Sequence, residues 1–175
     1  MDHHHSCELR SDRRGFIRLA SLGATCALLG LPRVTRAAGP IEAVLLSCMD
    51  YRLLDDIAMY MQARGLKDNY DHLILAGASL GALTDQQPAW GETFWEHLGI
   101  ALELHHVKRL MVMDHRDCGA YKVLLGTDHL KTRAAERATH AEMLVALREE
   151  AAKRHAGLPT ELLLMNLDGT VETVG

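Results

Sequence analysis

From residue 41 onward the chain alternates between two hydrophobic rhythms. Ile41, Ala43, Val44, Leu45 and Leu46 make a short, almost unbroken apolar run over 41–47, the pattern of a strand covered on both faces. Over 53–64 the apolar positions Leu54, Ile57, Ala58 and Met61 recur at helical spacing, and Gly65 follows as a C-cap. A second strand is predicted over 72–76, closed by Gly77. A helix is predicted over 90–104, with Trp90, Phe94, Leu98 and Ala101 along one stripe that reads as core. The third strand covers 110–113. A long helix over 131–155 stops at Gly157-Leu158-Pro159, and a fourth strand covers 161–167. The turn Asp168-Gly169 then leads into a last segment, 171–174. Strands alternating with helices predict an α/β domain built on a mainly parallel sheet flanked by helices.

The first 38 residues follow another pattern. Arg13 and Arg14 precede a modest apolar run over 19–31, diluted by Ser21, Gly23, Thr25 and Gly30 and ended by Pro32. That run is too short to span a bilayer and has the proportions of a signal-peptide core. Paired arginines, weak hydrophobicity and the late Arg33 and Arg36 resemble a twin-arginine (Tat) export signal. Small residues at Thr35, Ala37 and Ala38 offer cleavage just after Ala37 or Ala38. Cys26 lacks a lipobox, so no lipid anchor is expected. Residues 1–38 are therefore read as a signal peptide, and 39–175 as a periplasmic domain with no stable membrane anchor.

Composition narrows the picture further. With 48% hydrophobic residues in 175, the chain can bury a core, which excludes disorder. A formal net charge of -4 and a pI near 6.2 argue against a nucleic-acid grip. Without the leader the net charge falls to about -7, which also discourages binding to anionic membranes. Four cysteines are too few for a disulfide scaffold, and two of them, Cys7 and Cys26, lie in the leader.

The remaining two cysteines stand where chemistry is expected. Cys48-Met49-Asp50-Tyr51-Arg52 directly follows the first strand, and His115-Arg116-Asp117-Cys118-Gly119-Ala120 directly follows the third. In an open parallel sheet, ligands bind outside the carboxyl ends of the strands, where the strand order reverses. If those two strands are neighbours, Cys48, His115 and Cys118 converge as a Cys₂His set for Zn²⁺. Three protein ligands with a fourth position free for water is the catalytic arrangement. A hydroxide on the metal needs an acceptor for its remaining proton. Asp50 has the chemistry for that, and Arg52 could hold it with a two-pronged hydrogen bond.

At this point the pattern becomes specific. Cys-x-Asp-x-Arg after one strand and His-x-x-Cys-Gly-Ala after another resemble the β-class carbonic anhydrases, over roughly 41–174. Ala76-Gly77 stands where that family carries an Ala-Gly pocket segment. The resemblance implies that Cys48, His115 and Cys118 ligate zinc and that Gly77 lies at the substrate pocket. It implies a gatekeeper Asp50, paired with Arg52 in an open state or taking the fourth zinc position in a closed one. The implied reaction is reversible hydration of CO₂ to bicarbonate and a proton, in a homodimer or higher homo-oligomer. The chain departs from the family in carrying Ile74-Leu75 where many members have Arg-Asn. Ile41 also follows the leader almost at once, where family members place helices that embrace a partner subunit.

Other readings of the same residues stand beside this one. The substrate could be a CO₂-like molecule such as carbonyl sulfide or carbon disulfide, or the domain could bind zinc without catalysis. Cys48 and Cys118 as a redox pair ranks last, since they lack Cys-x-x-Cys spacing. Tyr51 and Tyr121 read as core, Asp117 as a local backbone or salt contact, and His105 and His106 as helix-end residues.

Overall fold

The apolar run at 41–47 forms β1, Ala43–Ser47, and every residue of it is buried. Its neighbours are β2, Tyr70–Ile74, on one side and β3, Arg109–His115, on the other. The structure, a computed structural model, describes residues 39–175; the signal-peptide reading falls on 1–38, outside the described residues. β4, Thr160–Met165, pairs parallel with β3, and β5, Val171–Thr173, returns antiparallel to β4. The order β2-β1-β3-β4-β5 reverses direction at β1. The expected crevice of a parallel sheet therefore lies above the ends of β1 and β3.

Alternation along the strands divides the core in two. Val44 and Leu46 of β1, Leu110 and Val112 of β3, and Leu162 and Leu164 of β4 face one layer. That layer includes Phe94, Leu98 and Ala101 of α3, Pro88–His105, and Leu144, Leu147 and Ala151 of α5, Arg133–Arg154. Ala43, Leu45, Met111, Met113, Leu163 and Met165 face the other layer, against Ile57 and Met61 of α1, Leu54–Ala63. Both faces of the central strands are covered, which is why their sequences run apolar without a break.

Several expectations are corrected. β2 starts two residues earlier than the apolar pattern placed it. It is an edge strand of half-buried residues, so Tyr70, Asp71 and His72 carry no apolar signal. Two short helices were not anticipated: α2, Ser79–Leu83, and α4, Gly119–Leu125. With five and seven residues, neither fills the window in which helical periodicity shows. Trp90 leaves the core stripe of α3 and stands half-buried against a cavity, whereas Phe94, Leu98 and Ala101 are buried as expected. Tyr51 is 83% exposed rather than packed, and Tyr121 is fully buried.

The short α2 matters because it seats the turn that precedes it. A Cβ at Gly81 would lie 2.3 Å from the carbonyl oxygen of Ala76, and one at Gly91 of α3 would lie 2.7 Å from that of Ala82. Only glycines allow this stack of turn, α2 and α3. Gly81→Ala is expected to cost about 1–3 kcal/mol through overpacking. Chemical denaturation followed by circular dichroism checks this, and an unchanged midpoint would show that the turn can give way.

Candidate metal centre

The parallel register pairs Ser47 with Met113. The residue after β1 and the last residue of β3 thus emerge side by side. Cys48 Sγ lies 3.8 Å from Cys118 Sγ, and these two atoms and a ring nitrogen of His115 all fall within 4.8 Å of one another. All three side chains are buried. Two sulfurs on one tetrahedral zinc, each about 2.3 Å from it, stand about 3.8 Å apart. His115 Nδ1 lies 2.8 Å from the carbonyl oxygen of Arg116 and donates to it, which leaves the Nε2 lone pair pointing the other way. Nε2 is buried and has no hydrogen-bond partner among the described residues. An orphaned acceptor beside two sulfurs is the donor set a Zn²⁺ ion would satisfy.

Local backbone supports the sulfurs. Gly77, at φ 79°, turns its N–H onto Cys48 Sγ at 3.3 Å. The hydrogen bond with Cys118 lowers the Cys48 thiol most. Burial opposes it, and contacts with His115 and Gly77 N–H help bring the pKa down to about 4. Cys118 is pushed up by its contact with Cys48 and by burial, although the N–H groups of Tyr121 and Ala120 act the other way. The close contact of the two sulfurs favours one shared proton between them. His115 is raised too: burial lowers it, but Cys48, the Arg116 carbonyl and Asp50 together outweigh that.

Asp50 and Arg52 meet as anticipated from their spacing. Arg52 donates from Nε to Asp50 Oδ1 at 3.0 Å and from Nη2 to Oδ2 at 2.8 Å. Asp50 Oδ1 also accepts the Arg52 backbone N–H, capping the short 3₁₀ helix Tyr51–Leu53. The Arg52 side chain, with smaller help from its backbone N–H and from His115, lowers the Asp50 pKa to about 2 against the effect of burial. Asp50 Oδ2 stands 3.8 Å from His115 Nε2. A charged carboxylate thus borders the donor triad.

Cys48, Asp50 and Arg52 line a cavity of about 660 Å³ whose wall also includes Met49, Ala76, Trp90, Ala120, Val123 and Leu124. Gly77 is not in that wall; its N–H serves Cys48 instead. Asp117, read as a local contact, bridges Arg52 and Lys122.

Supporting residues around the triad escaped the sequence reading. Asp114, buried one residue before His115, accepts from Ser79 Oγ at 2.7 Å, Tyr121 Oη at 2.6 Å and His140 Nδ1 at 3.0 Å, and its Oδ1 accepts Ser79 N–H at 3.0 Å. This fastens the turn carrying Gly77 and the strained Ala78 (φ 40°) to β3. Arg116, also buried, reaches Glu136, Asn166 and Glu172. A charged residue inside an apolar strand was the available signal for Asp114; the partners lie too far along the chain to be read from it.

Buried thiols and an imidazole at the switch point of a mostly parallel sheet define a class, an α/β domain with a Cys₂His triad that could hold a metal ion. Residues 41–147 match the family model described as "Putative carbonic anhydrase", and the chain belongs to that family. An uncharacterized protein of Rickettsia conorii is 40% identical over 133 residues, covering 76% of this chain and 72% of that protein. One of Rickettsia bellii is 36% identical over 133 residues, covering 76% and 81%. Among solved structures, the β-carbonic anhydrase CafD of Aspergillus fumigatus aligns with a TM-score of 0.51 at 15% identity, over 85% of this chain and 96% of that one. Coccomyxa β-carbonic anhydrase, in complex with acetazolamide, aligns with a TM-score of 0.50 at 14% identity, over 93% and 86%. The fold is that of the β-carbonic anhydrases.

Removing a donor should empty the site. The purified domain is expected to hold about one zinc per chain, and Cys48→Ser or His115→Ala to lose most of it. Because a metal takes both sulfurs as thiolates, uptake should also release protons and weaken as pH falls. Elemental analysis and titration in weak buffer check both points.

Proposed function

We propose that this domain is a zinc-dependent carbonic anhydrase that interconverts CO₂ with bicarbonate and a proton. The observation that carries the proposal is the meeting of three elements: the Cys48–His115–Cys118 triad, the Asp50–Arg52 pair 3.8 Å from His115 Nε2, and an apolar cavity above them. When bound, zinc supplies ionised water at neutral pH by lowering its pKa to about 7. Arg52 holds Asp50 well below the usual carboxylate range, so at neutral pH it is ionised and can only accept a hydrogen bond, which orients the proton of the nucleophile. Arg52 fixes that carboxylate with two parallel donors. Met49, Trp90, Val123 and Leu124 offer an uncharged linear substrate an apolar wall. Arg52 and Lys122, the cations at this wall, are already paired with Asp50 and Asp117, so they hold the anionic product weakly.

The cavity is far larger than a triatomic molecule needs, which also favours testing carbonyl sulfide and carbon disulfide. Stopped-flow CO₂ hydration beside hydrolysis of those two separates the substrates. Asp50→Ala should keep its zinc yet lose about 10²-fold or more in kcat/KM. In the native domain the rate should rise near pH 7 with no inflection from Asp50, whose titration lies far below. Full activity in Asp50→Ala would remove the carboxylate from the mechanism.

Self-association belongs to the same reading. Met49, Tyr51 and Val123 are 63%, 83% and 84% exposed around the mouth of the cavity, more apolar surface than water favours. A homodimer covering that mouth is expected, and sedimentation velocity at micromolar concentration checks it.

A further inference from the structure

Arg52 is not held by Asp50 alone. Its Nη1 donates to Asp117 Oδ2 at 3.1 Å and its Nη2 to the Asp117 carbonyl oxygen at 3.2 Å. Four of its five N–H donors are therefore engaged, two by each aspartate. Asp117 lies in the loop between His115 and Cys118, on the opposite side of the crevice from Asp50. Its own backbone is left-handed, at φ 58°, a conformation that costs free energy outside glycine. That conformation is held from behind: the Asp117 N–H donates to Glu136 Oε1 at 2.6 Å, while Glu136 Oε2 takes Arg116 Nη1 at 3.1 Å. Lys122 Nζ meets the remaining carboxylate oxygen, Oδ1, at 2.5 Å. A charged relay thus runs from buried Glu136 through Asp117 and Arg52 to Asp50.

We propose that Asp117 is a positioning residue for the Asp50–Arg52 pair, holding the guanidinium from the β3 side so that Arg52 keeps Asp50 away from the open side of the donor triad. The proposal rests on the role given to Asp50 above. Arg52 stands on an exposed 3₁₀ turn and carries a rotamer-rich side chain that solvent would otherwise claim. With only Asp50 as partner, the pair would be an exposed i, i+2 contact of the kind that contributes little. Anchoring on a second loop makes it a network, and Asp50 Oδ2, already 3.8 Å from His115 Nε2, needs only a small movement to compete for the triad once Arg52 is loose.

The test uses the domain loaded with Co²⁺, whose visible spectrum reports a fourth ligand, and azide as the probe anion. Asp117→Gly removes the carboxylate and suits the left-handed backbone; Asp117→Asn keeps the shape and removes the charge. Both should hold one Co²⁺ per chain. Azide should bind about 10-fold more weakly to Asp117→Gly and about 3-fold more weakly to Asp117→Asn, because Asp50 now competes. In the Asp50→Ala background the same substitutions should change nothing. Unchanged azide affinity in Asp117→Gly would overturn the proposal. So would an equal change in both backgrounds, which would mean that Asp117 acts on the anion directly or through Lys122. A chain that takes up no Co²⁺ overturns the positioning role and the proposed function together. A chain that passes the cycle but hydrates no CO₂ overturns the function alone.

Discussion

Parallel pairing of β1 with β3 drives two sulfurs and an imidazole into one buried space, and the surrounding structure answers what that burial demands. Thiolate and imidazole lose water there, and isolated charges in such a place are strongly disfavoured. Each donor is given a specific partner instead: Gly77 N–H for Cys48, the N–H groups of Ala120 and Tyr121 for Cys118, and the Arg116 carbonyl for His115. What these partners leave over is one proton between two sulfurs and one orphaned nitrogen. The site is incomplete as a set of hydrogen bonds and complete as a set of metal ligands.

Two carboxylates away from the chemistry keep those partners in place. Asp114 ties α2, α4 and α5 to β3 through Ser79, Tyr121 and His140, so the Gly77 turn cannot drift from Cys48. Glu136 performs the corresponding task for the His115–Cys118 loop through Asp117 N–H and Arg116. Both are buried carboxylates with at least two donors each, the condition under which burial of such a group is tolerable. The stability of the fold and the geometry of the centre are therefore the same set of contacts seen from two sides.

Legibility in the sequence followed burial. β1, β3 and β4 announced themselves because both faces are covered and their residues run apolar; the long α3 and α5 did so because they fill several turns of a periodic stripe. β2 was displaced because an edge strand needs no apolar run, and α2 and α4 were missed because five or seven residues carry no period. Cys48, Asp50, Arg52, His115 and Cys118 were legible because they sit at fixed short spacings next to strand ends. Asp114, Ser79, His140 and Glu136 were not, since their meaning lies in contacts across 19 to 35 residues of chain that no local pattern records. Trp90 was misplaced for a related reason: helical spacing gives its stripe but not where that stripe runs out of core.

The 3.8 Å between the sulfurs also bears on where such a domain can work. A disulfide needs its sulfurs at about 2.05 Å, a short movement from the separation seen here, and oxidation would remove both thiolates at once. In a reducing compartment that hazard is small; in an oxidising one it is constant. A metal held by both sulfurs removes the hazard, because the thiolates are engaged and the pair can no longer close. The burial of Cys48 and Cys118 acts in the same direction, since it leaves oxidants little access to either sulfur.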